Sequence, residues 1–169
     1  MNARFVSCLI LMGGLLGLLA MRPQPSLRVL IFLETECPIS QKTTSRFQAL
    51  ADTYADRVMF EAIYPTETVT VGEVEAFEKA YSFRVPRRLD PRHRLVKRYK
   101  ATTTPEVILL DARDRILYRG SVDDQFYKLG KYRPSPTVQY LRDALEATLH
   151  GQPVPVARVT PVGCLINYQ

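Results

Sequence analysis

The 169-residue sequence has no tryptophan, two histidines and three cysteines. Three cysteines are too few for a small disulfide-stapled scaffold, where several bridges stand in for a core. The length instead suits one domain of ordinary size with a core of its own. A charged fraction of 24% against 46% hydrophobic residues fits neither a disordered chain nor a protein of many membrane spans. The eight glycines never gather into a phosphate-cradling loop. Tetrahedral zinc spacing and a G-x-S-x-G elbow are also missing. No internal repeat and no linker divides the chain.

What is present first is a long apolar run. After a short basic start, residues 5–21 read FVSCLILMGGLLGLLAM, and Arg22-Pro23-Gln24-Pro25-Ser26 breaks the run sharply. With no polar face it does not read as a helix lying on a core. Residues 1–25 are therefore assigned as a signal peptide or N-terminal membrane anchor. The expected location is outside the cytoplasm, either periplasmic or anchored to the outer face of the cytoplasmic membrane. Cys37 and Cys164 are then the two thiols of the working part, divided into a domain over 26–151 and an extended, proline-rich tail over 152–169.

Within that domain, residues 27–33 (LRVLIFL) read as a buried central strand. Phe47, Leu50, Ala51 and Tyr54 recur at helical spacing after Cys37-Pro38, and residues 58–64 (VMFEAIY) form a second strand. This is a βαβ unit with a parallel pair. A helix over 71–81, an extended piece within 82–89 and a helix over 91–99 with Pro91 at its first position follow. Residues 106–110 (EVILL) and 115–118 (RILY) flank Asp111-Ala112-Arg113-Asp114 as a hairpin. A last helix is expected over 135–150, with Val138, Leu141, Ala144, Leu145 and Leu149 as its apolar stripe. The expectation is an α/β domain with a mixed central sheet flanked by helices.

Cys37 falls where the first strand hands over to the first helix, a place where free N–H groups and the helix dipole favour a thiolate. Glu36-Cys37-Pro38-Ile39-Ser40 resembles a thioredoxin-fold active-site turn, with Ser40 in place of the second cysteine of C-x-x-C. Thr102-Thr103-Thr104-Pro105-Glu106-Val107 resembles the loop that presents a cis-proline opposite that cysteine. LDPRHRLVKRYKATTTPEVILLD, YRGSVDD, YLRDALEATLHGQPVPV and the terminal VGCLI, taken in order, resemble the peroxiredoxin-like redoxin family across 27–166. The resemblance implies a thioredoxin-like fold with an insertion after the second strand. It also implies a partner backbone held by Thr104 and Pro105. Peroxiredoxins proper carry Thr three residues and Pro seven residues before the reactive cysteine. Glu34 and Leu30 occupy those positions here, which counts against a peroxidase.

Without a cysteine at position 40, a mixed disulfide at Cys37 needs another resolving thiol, and Cys164 is the candidate. A last helix over 136–150 would descend about 22 Å. An extended 151–164 could return as much as about 43 Å, enough to reach Cys37. The leading expectation is thiol–disulfide exchange in which Cys37 attacks a partner and Cys164 resolves, with no cofactor. A permanent staple of the tail, within a non-catalytic interaction module, is an equal alternative for the pair. A copper-binding or electron-transfer accessory of the Sco type, with Cys37, His93 and Cys164 as ligands, is a further one. His93 otherwise reads as an exposed surface residue and Asp123-Asp124 as turn caps. Eight of the cationic residues lie between Arg84 and Lys100 against one acid, Asp90. That stretch is expected either as a solvated face or as a dock for an acidic protein thiol or disulfide partner or an anionic membrane surface, and not for nucleic acid.

Overall fold

The computed structural model describes residues 27–167; the signal or anchor segment expected over 1–25 lies outside the described residues. In chain order the elements are β1 (Leu27–Phe32), α1 (Pro38–Tyr54), β2 (Val58–Tyr64), α2 (Val71–Ala80), β3 (Arg87–Leu89) and α3 (Arg94–Tyr99). Then come β4 (Thr103–Thr104), β5 (Glu106–Leu110), β6 (Ile116–Gly120), β7 (Phe126–Lys128), β8 (Lys131–Tyr132), α4 (Tyr140–Leu149) and β9 (Cys164–Leu165). The main sheet runs β3-β2-β1-β5-β6, with β1, β2 and β3 parallel and β5 antiparallel to both β1 and β6. The fold is a mixed α/β sheet flanked by helices, with α2, β3 and α3 inserted after the second strand.

β1 is apolar at nearly every position because both of its faces are covered. Val29, Ile31 and Leu33 join Phe47 and Leu50 of α1 and Leu141 and Leu145 of α4 in the larger core. Leu30 and Phe32 turn the other way, onto Val96 and Tyr99 of α3. This alternation follows from the two-residue period of a strand.

Register then sets the chemistry. Phe32, the last residue of β1, pairs with Glu106, the first of the antiparallel β5. The residues just after β1 therefore lie beside those just before β5, which brings the start of α1 against Thr104 and Pro105.

The structure corrects two helix starts. α3 opens at Arg94, not Pro91, because the buried Asp90 carboxylate accepts the Arg94, Leu95 and Val96 N–H groups at 2.8, 2.9 and 3.1 Å. An aspartate capping three orphan donors defines where a helix begins more strongly than an N1 proline does. His93, just before it, takes a left-handed backbone (φ 53°) and is buried, against the expectation of an exposed residue. α4 opens at Tyr140, not near Ser135-Pro136. Asp124 accepts the Thr137 and Val138 N–H groups (2.7 and 3.0 Å) and the Thr137 hydroxyl (2.6 Å), holding that stretch out of the helix. Val138 is accordingly on the surface while Leu141, Ala144 and Leu145 are buried. Asp123 grips Arg46 of α1 at 2.5 Å.

Several arginines of the basic stretch are ion-paired within the fold. Arg84 meets Asp52, Arg87 meets Glu75 and Glu78, Arg88 meets Glu61, and Arg98 meets Asp114. Exposed pairs of this kind contribute on the order of 0–1 kcal/mol each, so they shape the surface field more than the stability.

Candidate active site

Cys37 is the N-cap of α1, with Pro38 in the first turn. Its carbonyl accepts the Gln41 N–H at 3.0 Å, closing the first helical turn. Cys37 is only 2% exposed. Around its sulfur stand the Thr104 carbonyl oxygen at 3.3 Å and the Cys164 sulfur at 2.7 Å, both thiols being free. The Thr104–Pro105 peptide bond is cis.

Ser40, where the C-x-x-C pattern would place a second cysteine, is fully buried; its hydroxyl accepts the Glu34 N–H at 3.4 Å, and its N–H and hydroxyl both act to lower the Cys37 pKa. A serine at this position thus favours the thiolate. Its spacing from Cys37 was the available signal, because a side chain three residues into a helix reaches back to the N-cap.

Cys164 arrives from the far end of the chain. After α4 the chain runs along β6, where the Arg119 N–H donates to the Ala157 carbonyl at 3.1 Å and the Arg119 carbonyl accepts the Val159 N–H at 3.0 Å. It then turns across the front of the sheet. β9 pairs antiparallel with β4, setting Cys164 opposite Thr104 and Leu165 opposite Thr103, and the Ile166 N–H donates to the Thr102 carbonyl at 3.0 Å. Behind β4, the buried Glu106 carboxylate accepts the Thr102 N–H at 2.8 Å and pairs with Arg119 at 2.9 Å. One ion pair therefore fixes both the β4 edge and the strand that guides the tail towards it.

The two thiols are driven apart electrostatically. Burial acts to raise the Cys37 pKa, but hydrogen bonds from the Cys164 thiol and from Ser40 outweigh it and hold Cys37 below the ordinary value of 9.0. Burial pushes Cys164 up, helped by its bond to Cys37 and by the negative charges of Cys37 and Glu34. The Thr104 carbonyl can accept from Cys37 only while that thiol is protonated. Reduced protein is expected to show two separate steps of thiolate absorbance with rising pH, one below 9.0 and one above it. Replacing Ser40 by alanine should move the lower step upward, since one of the groups that lower the Cys37 pKa is lost while burial persists. A single step at the ordinary thiol range would count against this arrangement.

His93 takes another place. It lies 3.6 Å from the Glu67 carboxylate, in a polar cleft of about 280 Å³ that also meets Glu34, Thr66, Thr104 and Leu165. Among the described residues no three of His, Cys, Asp and Glu gather as a metal-holding group, so the structure does not assemble Cys37, His93 and Cys164 into a copper site. A hollow of about 430 Å³ lies at the opening ends of β1 and β2 beside Arg28 and Val58 and touches neither thiol.

Neither a protein-family model nor a curated protein matches the sequence. Solved structures do match. A hypothetical protein from Sinorhizobium meliloti 1021 superposes with a TM-score of 0.75 at 28% identity, over 86% of this chain and 81% of its own. A putative thioredoxin from Neisseria meningitidis gives 0.58 at 14% identity, over 75% and 77%. A secreted disulfide oxidoreductase from Mycobacterium tuberculosis gives 0.51 at 18% identity, over 76% and 83%. The fold is thioredoxin-like. In this thioredoxin-like chain the helix-capping thiol and the X-Pro loop face each other, and the second thiol comes from a tail instead of from the first turn of the helix.

Proposed function

We propose that the protein is an exported thiol–disulfide oxidoreductase whose redox centre is the Cys37–Cys164 pair. The observation that carries this reading is the contact of the two sulfurs at 2.7 Å, one of them held towards the thiolate at a helix N-terminus. The pair cycles between disulfide and dithiol, taking two electrons and two protons from a partner's thiols or returning them to a partner's disulfide. No cofactor is required for that step. Export is supported by the apolar run at residues 5–21 and by the likeness to a secreted oxidoreductase. A redoxin relationship finer than the fold rests on the sequence motifs, and Glu34 and Leu30 favour exchange chemistry over peroxidase chemistry. The partner is a protein thiol or disulfide, and the cations between Arg84 and Lys100 favour an acidic one or an approach along an anionic membrane surface.

Equilibrating the protein in graded glutathione buffers, with disulfide mapping, tests the reading. The pair should interconvert within roughly −120 to −270 mV, the span of exchange proteins. Cys37→Ser should abolish disulfide reductase turnover. A pair that stays closed below about −300 mV would instead be a permanent staple of the tail.

A further inference from the structure

We propose that partner thiols attack the oxidised pair at Cys164, with Cys37 as the sulfur that leaves. This reverses the order in which sequence alone assigns the two cysteines, and it rests on the exchange reading above. Access is the first argument. Cys37 is 2% exposed, with Thr104, Ser40 and Cys164 packed around its sulfur. The strand edge beside it, Thr103–Thr104, is occupied by β9. Cys164 is half-buried and lines an apolar hollow of about 340 Å³ together with Pro38, Ile39, Phe126, Leu129 and Tyr132. Phe126, Leu129, Gly130 and Tyr132 of the β7–β8 hairpin line one half of that hollow, and Leu129 and Tyr132 are exposed. A group arriving from solvent through the hollow meets Cys164.

Chemistry selects the same sulfur. Exchange is faster when the expelled thiol has the lower pKa. Cys37 is the better leaving group of the two, because hydrogen bonds to its sulfur outweigh its burial, whereas burial and neighbouring negative charge work against a Cys164 thiolate. In the step, a partner thiolate forms a bond to the Cys164 sulfur, the Cys37–Cys164 bond breaks, and its electron pair departs with Cys37. A second partner thiolate then attacks the partner sulfur of the mixed disulfide. A partner disulfide is released and Cys164 leaves to take up a proton. Two partner thiols are oxidised and one protein disulfide is reduced. In the opposite direction the Cys37 thiolate attacks the Cys164 sulfur of the mixed disulfide and expels the partner.

The test uses the oxidised full chain with reduced glutathione as the probe, acid quenching at short times and peptide mapping of the adduct. The expected result is glutathione on Cys164 in at least about ten-fold excess over Cys37. In parallel, the reduced single variants meet a bulky aromatic disulfide at a pH that ionises both thiols. Cys37→Ser should react through Cys164 at least about ten-fold faster than Cys164→Ser reacts through Cys37, because burial then limits access. An adduct chiefly on Cys37, or a Cys164→Ser variant reacting as fast as Cys37→Ser, overturns the assignment and leaves the exchange reading standing. A disulfide that glutathione opens at neither sulfur overturns both.

Discussion

Closing the Cys37–Cys164 disulfide is expected to stabilise the folded protein by about 2–4 kcal/mol over the reduced form. For a chain of this size that corresponds to a rise in Tm of roughly 4–16 °C. The two cysteines lie 127 residues apart, so the bridge removes a large share of the freedom of the unfolded chain. A loop of about 100 residues is worth about 4.7 kcal/mol in the chain-entropy account. Two features decide how much of this survives. The β4–β9 ladder already holds Cys164 beside Cys37, so closure asks for little rearrangement. The donors around Cys37 act in the other direction, since they stabilise its thiolate and hence the reduced state. Thermal melts of oxidised and reduced protein check the prediction, with a Cys37→Ser/Cys164→Ser double variant as the control insensitive to reductant. Equal melting temperatures in the two redox states would sink it.

Gly163→Ala should slow formation of the disulfide by about 100-fold, the scale set by displacing a reacting group by an ångström or so. A Cβ at Gly163 would stand 2.1 Å from the Thr104 carbonyl oxygen, 2.7 Å from its carbonyl carbon and 2.9 Å from Thr103 Cγ2. The first two are backbone atoms of the loop leading into Pro105 and cannot swing aside as the end of a long side chain would. The strain is relieved by lifting β9 off β4, which carries the Cys164 sulfur away from Cys37. The same variant should alkylate faster at Cys37, because part of the cover over that thiol is gone. Gly72 in α2, with nothing within 4 Å of its would-be Cβ, supplies the matched control. Unchanged closure in Gly163→Ala would show that the tail does not need this close approach.

Much of the frame was legible because local signals agreed with the global arrangement. The apolar run of β1, the helical spacing of Phe47, Leu50, Ala51 and Tyr54, and the turn at Asp111–Asp114 each obey a short-range rule that burial reinforces. Cys37 and Thr104-Pro105 were readable for the same reason, as a thiol at a strand-to-helix junction and a proline at a strand entrance. What escaped depends on distant partners. The start of α4 is set by Asp124, more than a turn upstream, and no helix signal around Ser135 reports that carboxylate. β7 and β8 hide in a segment whose one local cue is Gly130 in the left-handed region (φ 71°). β4 and β9 are two residues long and pair across some sixty positions, too short for any periodicity to register. Ser40 was read as a missing cysteine, whereas its buried hydroxyl and N–H act to lower the Cys37 pKa.

The β4–β9 ladder has a consequence for molecular competition. A strand held on its own tether faces its docking edge at an effective concentration on the order of millimolar, whatever the concentration of protein in solution. Any extended peptide from another chain that seeks Thr103 and Thr104 must displace this resident strand, and a covalent bond to Cys37 would remove even that opportunity. In the proposed redox cycle, a closed disulfide would thereby shut this otherwise adhesive sheet edge to strangers more firmly than the dithiol does.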